Sequence, residues 1–222
     1  MHRPMAATSV RKGSRRPTIA YFLCGVFIAP LLRMFWRLRV YDAERLPVGQ
    51  GFVLAPNHLS LIDPWPLSYP FFPRQLRFMA KADLFRFPLR TALRTLGAFP
   101  VRRGRGDIDA LETAAEIVRD GEIVLVFPEG TRLGKTDWTK LREPFHRGAA
   151  LVALQADAPL VPMAMMGTDR LGRFSRIRIL CGPPVDIDDL RNLPRREAAV
   201  IATERLKTAL EELLADLAAR AA

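Results

Sequence analysis

Six short apolar runs set apart by helical patterns constrain this chain more than any other feature. They are Phe52–Ala55, Leu76–Ala80, Ala98–Val101, Ile123–Phe127, Leu160–Met166 and Ile177–Cys181. Runs that are apolar almost throughout, instead of alternating, read as strands buried on both faces, the habit of parallel sheets. Between them, Asp107 can cap a helix that runs to Asp120 and stops at Gly121. Gly148–Ala156 reads as a second helix. From Arg195 onward Val200, Leu206, Leu210, Leu213, Leu214 and Leu217 recur at helical spacing, a stripe for packing on a core in preference to a second lipid-facing surface. The expected fold is α/β, a mixed and largely parallel sheet flanked by helices. In such sheets ligands meet residues just beyond the strand C-termini.

Length and charge divide the chain. Its 222 residues suffice for one full core. The formal charge of +11 is uneven, because residues 1–41 carry eight bases (Arg3, Arg11, Lys12, Arg15, Arg16, Arg33, Arg37 and Arg39) and no acid. Of the 34 bases, 26 remain to face the 23 acids of residues 42–222. The basicity therefore belongs to an N-terminal arm (1–41), and the folded body (42–222) is close to balanced. Two cysteines, Cys24 and Cys181, build neither a disulfide framework nor a zinc site and read as idle thiols in a reducing compartment. No metal and no cofactor is expected.

Within the arm, the apolar run Ile19–Leu32 is flanked by Arg15, Arg16 and Arg33 and followed by Phe35 and Trp36. It falls short of the roughly 20 residues a spanning helix needs. Pro30 is expected to disturb its last turn. Large residues follow where a signal peptide would show small ones around its cleavage site. The run fits a helical membrane anchor that lies in the interface or re-enters, its arginines beside lipid phosphates, in preference to an ordinary buried helix. An anionic membrane surface, and not nucleic acid, is the expected partner.

Polar motifs follow the strands. After Phe52–Ala55 comes Asn57-His58-Leu59-Ser60-Leu61-Ile62-Asp63. An acid five residues beyond a histidine can hold one imidazole nitrogen protonated and leave the other to take a proton from a hydroxyl. The same pairing also serves structure alone. There is no G-x-S-x-G elbow, so a serine acyl-enzyme is not indicated. After Ile123–Phe127, within Phe127-Pro128-Glu129-Gly130-Thr131-Arg132, Gly130 permits close backbone approach, Thr131 offers a hydroxyl and Arg132 a fork matched to phosphate. Gly97 to Arg103 places Arg102 and Arg103 after another strand, and Lys81 follows Leu76–Ala80. Val161-Pro162 lies in a strand whose use can be packing alone.

In this order and spacing the four segments resemble the glycerolipid acyltransferases, the lysophosphatidic acid acyltransferases and their relatives. The family's N-H-x-x-x-x-D, G-x-x-x-x-x-R, F-P-E-G-T-R and V-P segments correspond to Asn57 to Asp63, Gly97 to Arg103, Phe127 to Arg132 and Val161-Pro162. The resemblance covers about residues 40 to 185. It implies His58 as general base with Asp63 orienting it, and Lys81, Arg103 and Arg132 on the acceptor's phosphate. Glu129, Gly130 and Thr131 would shape the site, with backbone N–H groups near the oxyanion. It further implies a lysophospholipid acceptor, an acyl-CoA or acyl carrier protein thioester as donor, phosphatidic acid as product, and a place at the cytoplasmic face of the cell membrane. Arg102 stands where relatives often carry an acid, and Phe145-His146-Arg147-Gly148 where Phe-Lys-x-Gly is usual. Two other readings compete: the same chemistry on another lysolipid or glycolipid hydroxyl, and a non-catalytic binder of anionic membranes.

Overall fold

The computed structural model describes residues 17–86, 89–101, 108–130, 138–141, 143–173 and 175–221. Seven strands form one sheet: β1 (Arg39–Tyr41), β2 (Phe52–Pro56), β3 (Leu76–Lys81), β4 (Ala98–Val101), β5 (Ile123–Leu125), β6 (Leu160–Met166) and β7 (Arg178–Cys181). Their order is β1-β7-β6-β2-β5-β3-β4. From β6 to β4 every pairing is parallel; β7 runs antiparallel to β6, and β1 runs parallel to β7. The helices are α1 (Ile19–Phe35), α2 (Pro64–Ser68), α3 (Leu89–Thr95), α4 (Ile108–Arg119), α5 (Gly148–Ala156) and α6 (Arg195–Ala221).

The apolar runs are explained by burial on both faces. Phe52 and Leu54 point to one side with Leu76, Ile123, Leu125, Met163 and Met165, against Leu32 of α1 and Leu67 of α2. Val53 and Ala55 point to the other with Val124 and Leu160, against α4, α5 and Leu206 and Leu210 of α6. Alternate residues of β2 thus feed two cores, so that strand leaves no position for a polar side chain. The buried Cys181 belongs to the first core, and burial pushes its thiol up to about 12.

Several boundaries differ from the sequence reading. The Ile123–Phe127 run is extended only to Leu125. Val126 still donates to the Leu54 carbonyl at 2.9 Å, but Pro128 has no N–H to continue a ladder and the chain turns. Val200 is 38% exposed, whereas Leu206, Leu210, Leu213, Leu214 and Leu217 are buried. Six residues are about 1.7 helical turns, which carries Val200 away from the face of Leu206. The expected cap at Asp107 lies outside the described residues.

Helix α1 runs through Pro30 to Phe35 instead of fraying there. The proline removes one N–H, but the last turn is tied down because Trp36 and Leu38 both donate to the Leu32 carbonyl. Thr18 caps the other end, accepting from the Tyr21 N–H at 3.2 Å. One side of α1 packs on the domain through buried Tyr21 and Leu32, and the Phe22 and Phe72 rings stack at 5.5 Å. The other side exposes Ile19 (81%), Leu23, Val26, Phe27 (69%), Leu31 and Met34. Among the described residues no helix is long and apolar enough to cross a membrane.

Candidate active site

The sheet order brings the motifs together. Strand β2 lies between β6 and β5, so whatever follows β2 is flanked by whatever follows those two strands. Asn57, fully buried, extends the β2–β6 ladder with its side chain: its Nδ2 donates to the Met165 carbonyl at 2.9 Å, and its Oδ1 accepts from the Met165 N–H at 2.8 Å. This amide takes over the backbone's role where β2 ends and fixes the takeoff of His58.

Asp63 is fully buried and organises the loop back onto the histidine. Its Oδ2 accepts from the Leu59 N–H at 2.7 Å and the Ser60 N–H at 2.9 Å, and lies 2.9 Å from His58 Nδ1. A carboxylate oxygen can only accept, so the ring donates from Nδ1 and keeps Nε2 as its free lone pair. Its Oδ1 accepts from the Thr168 hydroxyl at 2.6 Å. The imidazole stacks on Phe127, with centroids 3.7 Å apart and planes 19° from parallel. Its side chain is 12% exposed, so water and substrate reach a limited edge.

From the other side, β5 delivers the turn Phe127–Gly130. Glu129 is buried and its Oε1 accepts from the His58 backbone N–H at 3.1 Å. Gly130 has φ +65°, and a Cβ there would lie 2.6 Å from His146 Cδ2. The positive φ favours glycine, and an added Cβ would force the His146 ring to shift. The Gly130 N–H donates to the Phe127 carbonyl at 3.1 Å, so it serves the turn. His146 donates its backbone N–H to the Pro128 carbonyl at 2.6 Å. It braces this turn from outside.

Lys81 ends β3 and is 53% exposed, its Nζ 2.6 Å from Asp83 Oδ2. The hydrogen bond from Lys81 holds the Asp83 carboxyl below the usual carboxylate range. Arg103, Thr131 and Arg132 lie outside the described residues. His58, Asp63, Glu129 and Gly130 are therefore gathered at one end of the sheet, with Lys81 at the end of β3. Three participants were not assigned from sequence: the Asn57 clamp, the Phe127 platform and Thr168. A glycine directly after β6 was the one local signal for the last.

A buried aspartate beside an imidazole at the C-terminal ends of parallel strands is an arrangement suited to a general base on an α/β fold. Comparison with known proteins makes this specific. A family model described as Acyltransferase matches residues 37–166. The chain is 32% identical to the 1-acyl-sn-glycerol-3-phosphate acyltransferase of Bacillus subtilis, over 87% of this chain and 96% of that protein. It is 28% identical to a chloroplastic 1-acyl-sn-glycerol-3-phosphate acyltransferase of Brassica napus, over 68% of this chain but only 43% of that longer protein. The crystal structure of the 1-acyl-sn-glycerophosphate acyltransferase PlsC from Thermotoga maritima superposes with a TM-score of 0.64 at 27% identity, covering 87% of this chain and 78% of that one. This chain belongs to the acyltransferase family and is an enzyme of that type. Membership sets aside the reading as a non-catalytic membrane binder.

Proposed function

We propose that the protein transfers a fatty acyl group from an acyl-CoA or acyl carrier protein thioester to the free hydroxyl of 1-acylglycerol-3-phosphate, giving phosphatidic acid. The observation that carries this reading is the 2.9 Å contact between His58 Nδ1 and Asp63 Oδ2: with Nδ1–H committed to Asp63, Nε2 is the ring's basic atom. Nε2 removes the acceptor's hydroxyl proton as its oxygen attacks the thioester carbonyl carbon. The tetrahedral intermediate collapses by breaking the carbon–sulfur bond. The imidazolium returns its proton to the departing sulfur, leaving an ester and a free carrier thiol. Asp63 stabilises the imidazolium between these steps.

The names of the similar proteins support the acceptor, and the basic residues after β3 and β4 fit its phosphate. Arg132 supplies a bidentate fork, with Arg103 and Lys81 as further cations. Arg132→Ala should raise KM for lysophosphatidic acid by about 10- to 100-fold, the value of a charge-assisted contact, with a smaller change in kcat. The parent assay is release of carrier thiol, with the product identified by mass spectrometry across a panel of lysolipids, acyl-CoA and acyl carrier protein. No thiol release with lysophosphatidic acid and either donor would refute the substrate assignment. Preference for a phosphate-free acceptor would refute the role of Arg132.

We place the reaction at an anionic membrane surface on the cytoplasmic face. The exposed apolar side of α1, in a segment (1–41) whose sequence carries eight bases and no acid, supports α1 lying in the interface. Phe27→Asp removes one large exposed side chain from that face. It should cut co-sedimentation with phosphatidylglycerol vesicles by about 10-fold or more. Unchanged partitioning would rule out this face as the contact.

A further inference from the structure

We infer that Thr168 is a positioning residue of the acyl-transfer site, its hydroxyl holding the Asp63 carboxylate in the orientation that presents His58. The inference deepens the reading of His58 as base and rests on it. Thr168 is 105 residues from Asp63 in sequence, is 2% exposed, and donates to Oδ1 at 2.6 Å. The other oxygen, Oδ2, already meets His58 Nδ1 and the Leu59 and Ser60 N–H groups. Those three donors converge on a single oxygen. Without a partner on Oδ1 the carboxylate could rotate about its Cβ–Cγ bond and exchange its oxygens. With Thr168 in place both oxygens are engaged, and the plane of the carboxylate is set.

The backbone is shaped to deliver this hydroxyl. Gly167, directly after β6, has φ +94°, and a Cβ there would stand 2.3 Å from the Arg176 carbonyl oxygen. Only glycine allows this turn beside that strand-leading segment. The Asn57 clamp on Met165 holds the end of β6 against the end of β2, on either side of the same carboxylate. The orienting machinery is thus shared between two strands.

The test compares Thr168→Val and Thr168→Ser in the full-length protein. Valine matches the shape of threonine and removes the donor. It should lower kcat by about 10- to 100-fold and leave KM for acceptor and donor within about twofold, since nothing is taken from substrate binding. Serine keeps the hydroxyl and should stay within about threefold of the parent rate. NMR of protein carrying ¹⁵N-histidine reads the contact without substrate. The His58 Nδ1–H resonance, assigned by its loss in His58→Ala among only three histidines, should move in the valine variant and return with serine. If the valine variant does not accumulate folded, Thr168→Ala removes the same hydroxyl without a misplaced methyl. A parent-like kcat and an unmoved resonance in the valine or alanine variant would overturn the inference. So would a serine variant as slow as valine, because the methyl and not the hydroxyl would then matter. A fast His58→Ala would instead remove the base itself, and the Thr168 inference with it.

Discussion

His58→Ala lowers kcat by about 10²- to 10⁴-fold, the range lost when a positioned general base is removed, while KM for both substrates changes little. The side chain contributes one basic nitrogen and a stacked ring, and neither is needed to bind a phosphate or a thioester. Folding should survive, because the ring's neighbours remain anchored by other contacts. The His58 backbone N–H still donates to Glu129, and the Leu59 and Ser60 N–H groups still reach Asp63. Steady-state rates of thiol release, with a thermal melt beside them, check both halves. A variant retaining more than a tenth of the parent kcat would mean that the acceptor hydroxyl loses its proton elsewhere.

The second large effect is expected from Asp63, and the choice of replacement separates charge from scaffold. Asparagine can turn its amide oxygen toward the three donors at the Oδ2 position. Its NH₂ then faces Thr168, whose hydroxyl can rotate to accept. The hydrogen bonds persist and only the negative charge beside the imidazolium is lost. Asp63→Asn is therefore expected to fold normally yet lose about 10²- to 10⁴-fold in kcat. Asp63→Ala removes the acceptor altogether and strands buried N–H and hydroxyl donors. It should also cost about 3 kcal/mol or more of stability in denaturant titration. If Asp63→Asn turned over at the parent rate, the carboxylate would be scaffold alone and its charge irrelevant to the chemistry.

Much of the fold was legible along the chain. Leu160–Met166 and Gly148–Ala156 form a strand and a helix with the bounds read from pattern. The reason is that β6 is buried almost throughout and α5 buries most of its residues, and such apolar segments declare themselves without reference to neighbours. Legibility failed where a neighbour decides the outcome. Ile123–Phe127 shortens because its ladder meets Pro128, and α1 survives Pro30 because Trp36 and Leu38 close its last turn and Ile177 holds the Trp36 carbonyl. Val200 is apolar yet exposed, since the turn of α6 carries it off the face that the leucines bury.

For the site, local spacing alone was enough to pair His58 with Asp63, because four intervening residues form one tight loop. Position after a strand also marked Gly130, and the family resemblance marked Glu129. Neither could say that Glu129 holds the His58 backbone, that Phe127 lies flat under the imidazole, or that Thr168 completes the carboxylate's partners. Those contacts depend on β2 lying between β5 and β6, a lateral order that each strand's own residues leave open. Sheet pairing is chosen by the packing of both faces at once, and only the folded chain expresses that choice.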